Sequence, residues 1–122
     1  MTSLDRPLSG DTLLFDLAAE VDSARTAITG DVGRTARTLV KDGPLRVTLI
    51  VLVAGAVIPE HSAEGPITIQ PISGTIRFRT ADGEETVGTG MLLSAGAGVR
   101  HSVASDEGAA FLLTVMHPPR DG

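Results

Sequence analysis

Between Leu14 and Ile28 the apolar residues Leu14, Leu17, Val21, Ala24 and Ile28 recur at spacings of three and four. That spacing predicts one apolar stripe along a helix over 12–28, about four to five turns long. Asp11 or Thr12 is the candidate N-cap, Asp16 and Arg25 complement the dipole at the two ends, and Gly30 follows as a stop. Past Gly30 the period drops to two. "RTARTLVK" (34–41), "LRVTLIVLV" (45–53), "ITIQPI" (67–72), "TIRFRT" (75–80), "EETV" (84–87), "MLLS" (91–94), "HSVAS" (101–105) and "AAFLLTVM" (109–116) read as strands. Asp82-Gly83 suits a tight hairpin turn, and Gly74 marks another. In "TIRFRT", Ile76 and Phe78 point to one face and Arg77 and Arg79 to the other. With about eight or nine short strands between glycine-bearing turns and no βαβ rhythm, an antiparallel sandwich or barrel is expected.

"LRVTLIVLV" is apolar on both faces. Val47, Leu49, Val51 and Val53 share one side, Ile50 and Leu52 the other. A barrel strand needs one face inward, so something must cover the second. The helix and a dimer partner are the two candidates.

The totals narrow the function. The chain of 122 residues is one domain's worth, and 42% hydrophobic residues is enough for a packed core. The absence of cysteine removes disulfides and thiolate chemistry. Net charge is −5 and the ten basic residues form no stripe, so no nucleic-acid partner is expected. Phe15, Phe78 and Phe111 are the only aromatic residues, too few to stack bases or a flavin. The start, "MTSLDRPLSGDT", lacks the basic and apolar regions of a secretory signal. The longest apolar run, Val47 to Ile58, falls short of the ~20 residues a membrane helix needs. A cytoplasmic protein with no membrane partner is expected.

Three histidines carry the candidate chemistry. Gly55, five residues, His61, then Gly74 thirteen positions on; Gly90, five residues, Gly96-Ala97-Gly98, two residues, His101: in this order the two stretches resemble the paired motifs of the cupin superfamily. The likeness spans residues 55–105, and flanking strands extend it over 35–116. It implies an all-β fold, a conical antiparallel β-barrel (a jelly-roll-like double-stranded β-helix) with one N-terminal helix. The chain then divides into a lead-in and helix at 1–33, a barrel at 34–117 and a tail at 118–122. The resemblance also implies a homodimer.

In that family the first motif brings two histidines two residues apart and a Glu or Gln four positions later. The second motif brings a third histidine, and the four converge on a divalent metal, commonly iron, manganese, nickel or zinc. Here His61 and His101 match, but Ala63 and Ile67 stand at the other two positions and cannot bind metal. Ser105 stands where the family has a trailing Asn. The resemblance therefore implies a degenerate site: no cofactor, or a divalent ion (Zn, Ni, Fe, Mn or Cu) held weakly by two imidazoles. Under this alignment, Ala63→His with Ile67→Glu should raise metal affinity.

The expected function is small-molecule binding in the barrel around His61 and His101, with Arg100 as a bidentate anion contact and Gln70 as a further ligand contact. A metal-dependent dioxygenase, isomerase or decarboxylase is the first alternative, and would draw unorthodox ligands from Glu60, Glu64, Gln70 or His117. A non-catalytic sensor or a dimeric scaffold is the second. Ser62 and Ser102 flank the histidines but lack the third group a nucleophilic triad needs.

Overall fold

The computed structural model describes residues 6–28 and 33–118. It contains one helix, α1 (Leu17–Thr26), and eight strands: β1 (Arg34–Asp42), β2 (Leu45–Leu52), β3 (Val57–His61), β4 (Ile67–Thr80), β5 (Gly83–Gly88), β6 (Leu93–Ala95), β7 (His101–Ala104) and β8 (Ala109–Met116). Every strand pair is antiparallel. The hydrogen-bonded path runs β1-β2-β8-β4-β7-β3, with β5 and β6 also on β4. Strand β4 holds the two halves of the curled sheet together. Its first part pairs with β8 and β6, its second with β5 and β7.

The two apolar faces of β2 feed two separate cores. Leu52, with Ile50 at its edge, joins Ile67, Ile69, Ile76, Phe78, Val103 and Phe111 inside the barrel. Leu49 and Val51 point outward and pack with Leu39, Ala110, and Val21 and Ala24 of α1. The small side chains of Ala24 and Ala110, both fully buried, let the helix sit close to the sheet. The helix thus covers Leu49 and Val51 on the second apolar face of β2, while Val53 at its end is 41% exposed.

The helix is shorter than the stripe predicts. Its N-cap is Asp16, whose backbone is extended and whose Oδ1 accepts a hydrogen bond from the Ala19 N–H at 3.1 Å. Asp16 is therefore the cap itself rather than a first-turn charge, because its carboxylate satisfies an orphan amide. Asp11 and Thr12 lie upstream in irregular chain, and Leu14 is 95% exposed. The proposed stop at Gly30 lies outside the described residues, as does the tail beyond Pro118. Glu20 accepts from Arg6 at 2.6 Å and from Arg37 at 3.2 Å, which ties the lead-in, α1 and β1 together. The Arg6 guanidinium holds the Glu20 carboxyl below its ordinary value.

Two further differences are informative. The segments read as separate strands at 67–72 and 75–80 form one strand, so Gly74 is not a hairpin turn. It is a kink with φ 77° just after a register shift between Pro71 and Ser73, where β4 leaves β8 and joins β5. Strand β3 has no counterpart in the sequence reading. It is an edge strand with four of five residues exposed and a proline inside it, so it carries no alternation. The expected hairpin is present with its turn one residue earlier: Thr80 pairs with Gly83, so Ala81-Asp82 make the turn and Gly83 opens β5. Among the described residues no helix is long and apolar enough to cross a membrane.

Candidate functional site

His61 closes β3 and His101 opens β7, and the two residues are register partners. Directly opposed residues on neighbouring strands share a face, so the pairing sets the two rings side by side. Their centroids are 4.3 Å apart, edge to face. On its other side His101 stacks on Phe78 at 4.8 Å. His101 is 3% exposed, whereas His61 is exposed to solvent. The pair therefore runs from the core outward.

Each imidazole is anchored in the same way. His61 Nδ1 lies 2.9 Å from the Pro59 carbonyl oxygen, and His101 Nδ1 lies 3.0 Å from the Val99 carbonyl oxygen. A carbonyl oxygen only accepts, so Nδ1 is the donor in both rings. In a neutral ring the Nε2 lone pair is then left for a ligand. Burial pushes the His101 pKa down; the Val99 carbonyl opposes this, and His61 adds to it. His101 is thus neutral at pH 7.

This has a stability consequence. Unfolded, His101 titrates near its ordinary ~6.5; folded, it does so lower. Below about pH 6.5 the unfolded chain binds a proton that the folded chain refuses. Stability is full above that value and falls as pH drops through the folded pKa. Urea unfolding between pH 5 and 7 should show a slope of up to about 1.4 kcal/mol per pH unit from this residue. His101→Leu should flatten it; an unchanged slope would show that the ring is not buried uncharged.

The other expected contacts fall elsewhere. Arg100 donates from Nε to Glu60 Oε1 at 3.0 Å, and its Nη2 lies 2.9 Å from the same oxygen as an ion pair on the exposed surface. Gln70 is exposed and paired with Leu112, on the face of β4 opposite to buried Ile67 and Ile69. It does not join the histidines. Glu64 and His117 line a different cleft, with Lys41 and Arg46. Ala63 packs against the inner core, and its carbonyl accepts from Gly98 N–H at 2.9 Å. Ile67 is 3% exposed within that core. Ser105 is buried and structural: its Oγ donates to the Thr75 carbonyl at 2.8 Å and accepts from Gly108 N–H at 3.1 Å.

The donor set does not fit the family's metal centre. Two of the four positions carry aliphatic side chains, and among the described residues no three His, Cys, Asp or Glu side chains are grouped to hold an ion. Ile67→Glu would place a carboxylate among Ile69, Ala95 and Val115, where an unpaired charge costs several kcal/mol. The double substitution expected to restore metal binding therefore works against the stability of the barrel.

A cleft of about 500 Å³ opens beside the pair's neighbours, lined by Phe78, Thr80, Asp82, Glu84, Leu93 and Val99 among others. Neither histidine lines it, but two of its residues touch them: Phe78, which stacks on His101, and Val99, whose carbonyl holds the His101 ring. The sequence reading missed Phe78 as part of the site. The signal was present, since Phe78 alternates inward with Ile76.

The backbone path of this chain has parallels among solved structures. A conserved Streptococcus pyogenes protein of unknown function is 24% identical, with a TM-score of 0.74 over 93% of this chain and 95% of that one. A cupin superfamily protein from Desulfitobacterium hafniense gives a TM-score of 0.70 at 14% identity, covering 78% of this chain and 87% of its own. This chain has the cupin fold. A cupin-2 domain protein from Shewanella frigidimarina adds a third instance, with a TM-score of 0.62 at 14% identity over 81% of this chain and 91% of that one. No protein-family model matches the sequence, and no curated protein matches it. The cupin likeness thus lies in the backbone path far more than in side-chain identity. Identities this low carry the cupin fold across and not the chemistry.

Proposed function

We propose that this cupin binds a small organic molecule, with His61 and His101 as its polar anchor and the Phe78-lined cleft as the approach. The observation that carries the reading is the shared commitment of both Nδ1–H groups to backbone carbonyls. It leaves Nε2 of neutral His101, beside His61, as an acceptor. Such a site favours a ligand that presents a hydroxyl or amine hydrogen at one end and an apolar body against Phe78. A neutral His101 disfavours an anion at this point, and the Arg100 guanidinium already engages Glu60.

The test is an NMR screen of small polyols, amines and hydroxy acids against metal-free protein. A binder should shift the His101 and Phe78 resonances, and His61→Ala and His101→Ala should each weaken it at least tenfold while the fold persists. Binding that survives both substitutions would place the ligand elsewhere. About one metal ion per purified chain, lost in both variants, would replace this reading with that of a metal-dependent enzyme.

A further inference from the structure

The inward-facing rows of β1 and β2 end in the cations Lys41 and Arg46 at one end of the barrel, and His117 lies just past β8 beside them. On β2, Arg46 has the parity of Ile50 and Leu52, which pack in the inner core. Its partners across the ladder are Lys41 on β1 and Val115 on β8. His117 follows two residues after Val115. Lys41, Arg46 and His117 line one cleft of about 720 Å³, with Glu64 from the loop before β4 and Gly43-Pro44 at the β1–β2 turn.

Two observations set this cleft apart from an ordinary solvated face. Lys41 and Arg46 stand directly opposite each other, an arrangement of like charges that opposes strand pairing. Among the described residues neither forms an ion pair, although the chain as a whole carries net charge −5. The walls are also fixed in advance. Arg46 Nη1 donates to the Gly43 carbonyl at 2.6 Å and the Leu45 carbonyl at 3.0 Å, which holds the guanidinium over its own turn with other N–H groups left to donate. His117 N–H donates to the Pro44 carbonyl at 2.8 Å, and Met116 N–H to the Pro66 carbonyl at 3.1 Å. The volume falls within the range of about 300–1,000 Å³ common for metabolite sites.

We propose that this cleft is a second binding site, one for a small oxyanion: the carboxylate or phosphate group of a metabolite held between Lys41 and Arg46, with His117 at its edge. The anion relieves the cross-strand repulsion, and the Arg46 fork gives it direction. Glu64 supplies an acceptor for a hydroxyl or ammonium group on the same ligand. No residue of this cleft belongs to the His61–His101 site.

The experiment titrates inorganic phosphate and, separately, succinate into the full chain at constant ionic strength, with chloride as the reference ion. Amide shifts are followed by NMR. Saturable shifts at Gly43, Leu45 and His117 with either probe, absent with chloride, are expected. Lys41→Gln and Arg46→Gln should each weaken that binding tenfold or more, whereas Arg79→Gln, which removes an exposed cation elsewhere, should not. The same spectra report whether each variant is folded. In anion-free buffer Lys41→Gln should raise the melting temperature, since it removes the repulsion. Shifts that never saturate, that chloride reproduces, or that survive both cleft substitutions would overturn the proposal. So would a lower melting temperature for Lys41→Gln, which would make the lysine a support of the fold.

Discussion

Gly74→Ala should destabilise this protein by about 3 kcal/mol or more, a large share of the 5–15 kcal/mol that holds a typical domain together. Two effects add. Gly74 has φ 77°, and a Cβ in that region costs about 1–2 kcal/mol. The added carbon would also meet the Gly108 carbonyl oxygen and come within 2.9 Å of the Ala109 Cα. Both are backbone atoms at the entry to the facing strand β8, so relief requires β4 and β8 to separate, and overpacking of this kind costs about 1–3 kcal/mol. Gly83→Ala is the matched comparison. Its φ of 142° is also strained, but nothing lies within 4 Å of the new carbon. Urea denaturation should place Gly74→Ala well below Gly83→Ala. Equal midpoints would mean that β4 does not press against β8 at the kink.

Gly65→Ala should be comparably damaging for a different reason. Gly65 is buried and its φ is not positive, so no backbone strain is involved. An added Cβ would land on the Met116 carbonyl oxygen, 2.9 Å from its carbonyl carbon and 3.5 Å from Pro118 Cδ. That carbonyl cannot yield easily, because the Met116 N–H is bound to Pro66 in the same loop. The loop between His61 and β4 would have to lift from the end of β8, at a cost of about 2–4 kcal/mol. Gly96→Ala, which meets nothing within 4 Å, should be near neutral. A melting temperature for Gly65→Ala close to that of Gly96→Ala would show that the loop and β8 are not in contact.

These two glycines show what the sequence could and could not convey. The alternation in "TIRFRT" and the double apolar character of "LRVTLIVLV" marked the inner face of β4 and the need to cover β2, because periodicity records burial directly. Gly74 stood out as special, but a hairpin and a kink within a strand both call for positive φ. Only the pairing of residues 67–74 with β8 separates the two. Gly65 carried no signal, since its requirement comes from a carbonyl some fifty positions away. Edge strand β3 was silent because exposed strands do not alternate, and so the cross-strand register of His61 with His101 could not be read. The motif spacing placed both histidines in one fold. It did not reveal their contact, the Phe78 stack, or the opposition of Lys41 and Arg46, all of which depend on strand register.

The account rests on the two imidazoles lying 4.3 Å apart with Nδ1 of each held by a backbone carbonyl, which leaves Nε2 for a ligand. Long-range proton–nitrogen NMR correlation of the imidazoles at pH 8 tests this directly. The account predicts that both rings carry their proton on Nδ1, with an unprotonated Nε2 that shifts in both when a bound ligand is added. A proton on Nε2 of either ring, or nitrogen signals that stay fixed as the ligand saturates, would contradict it.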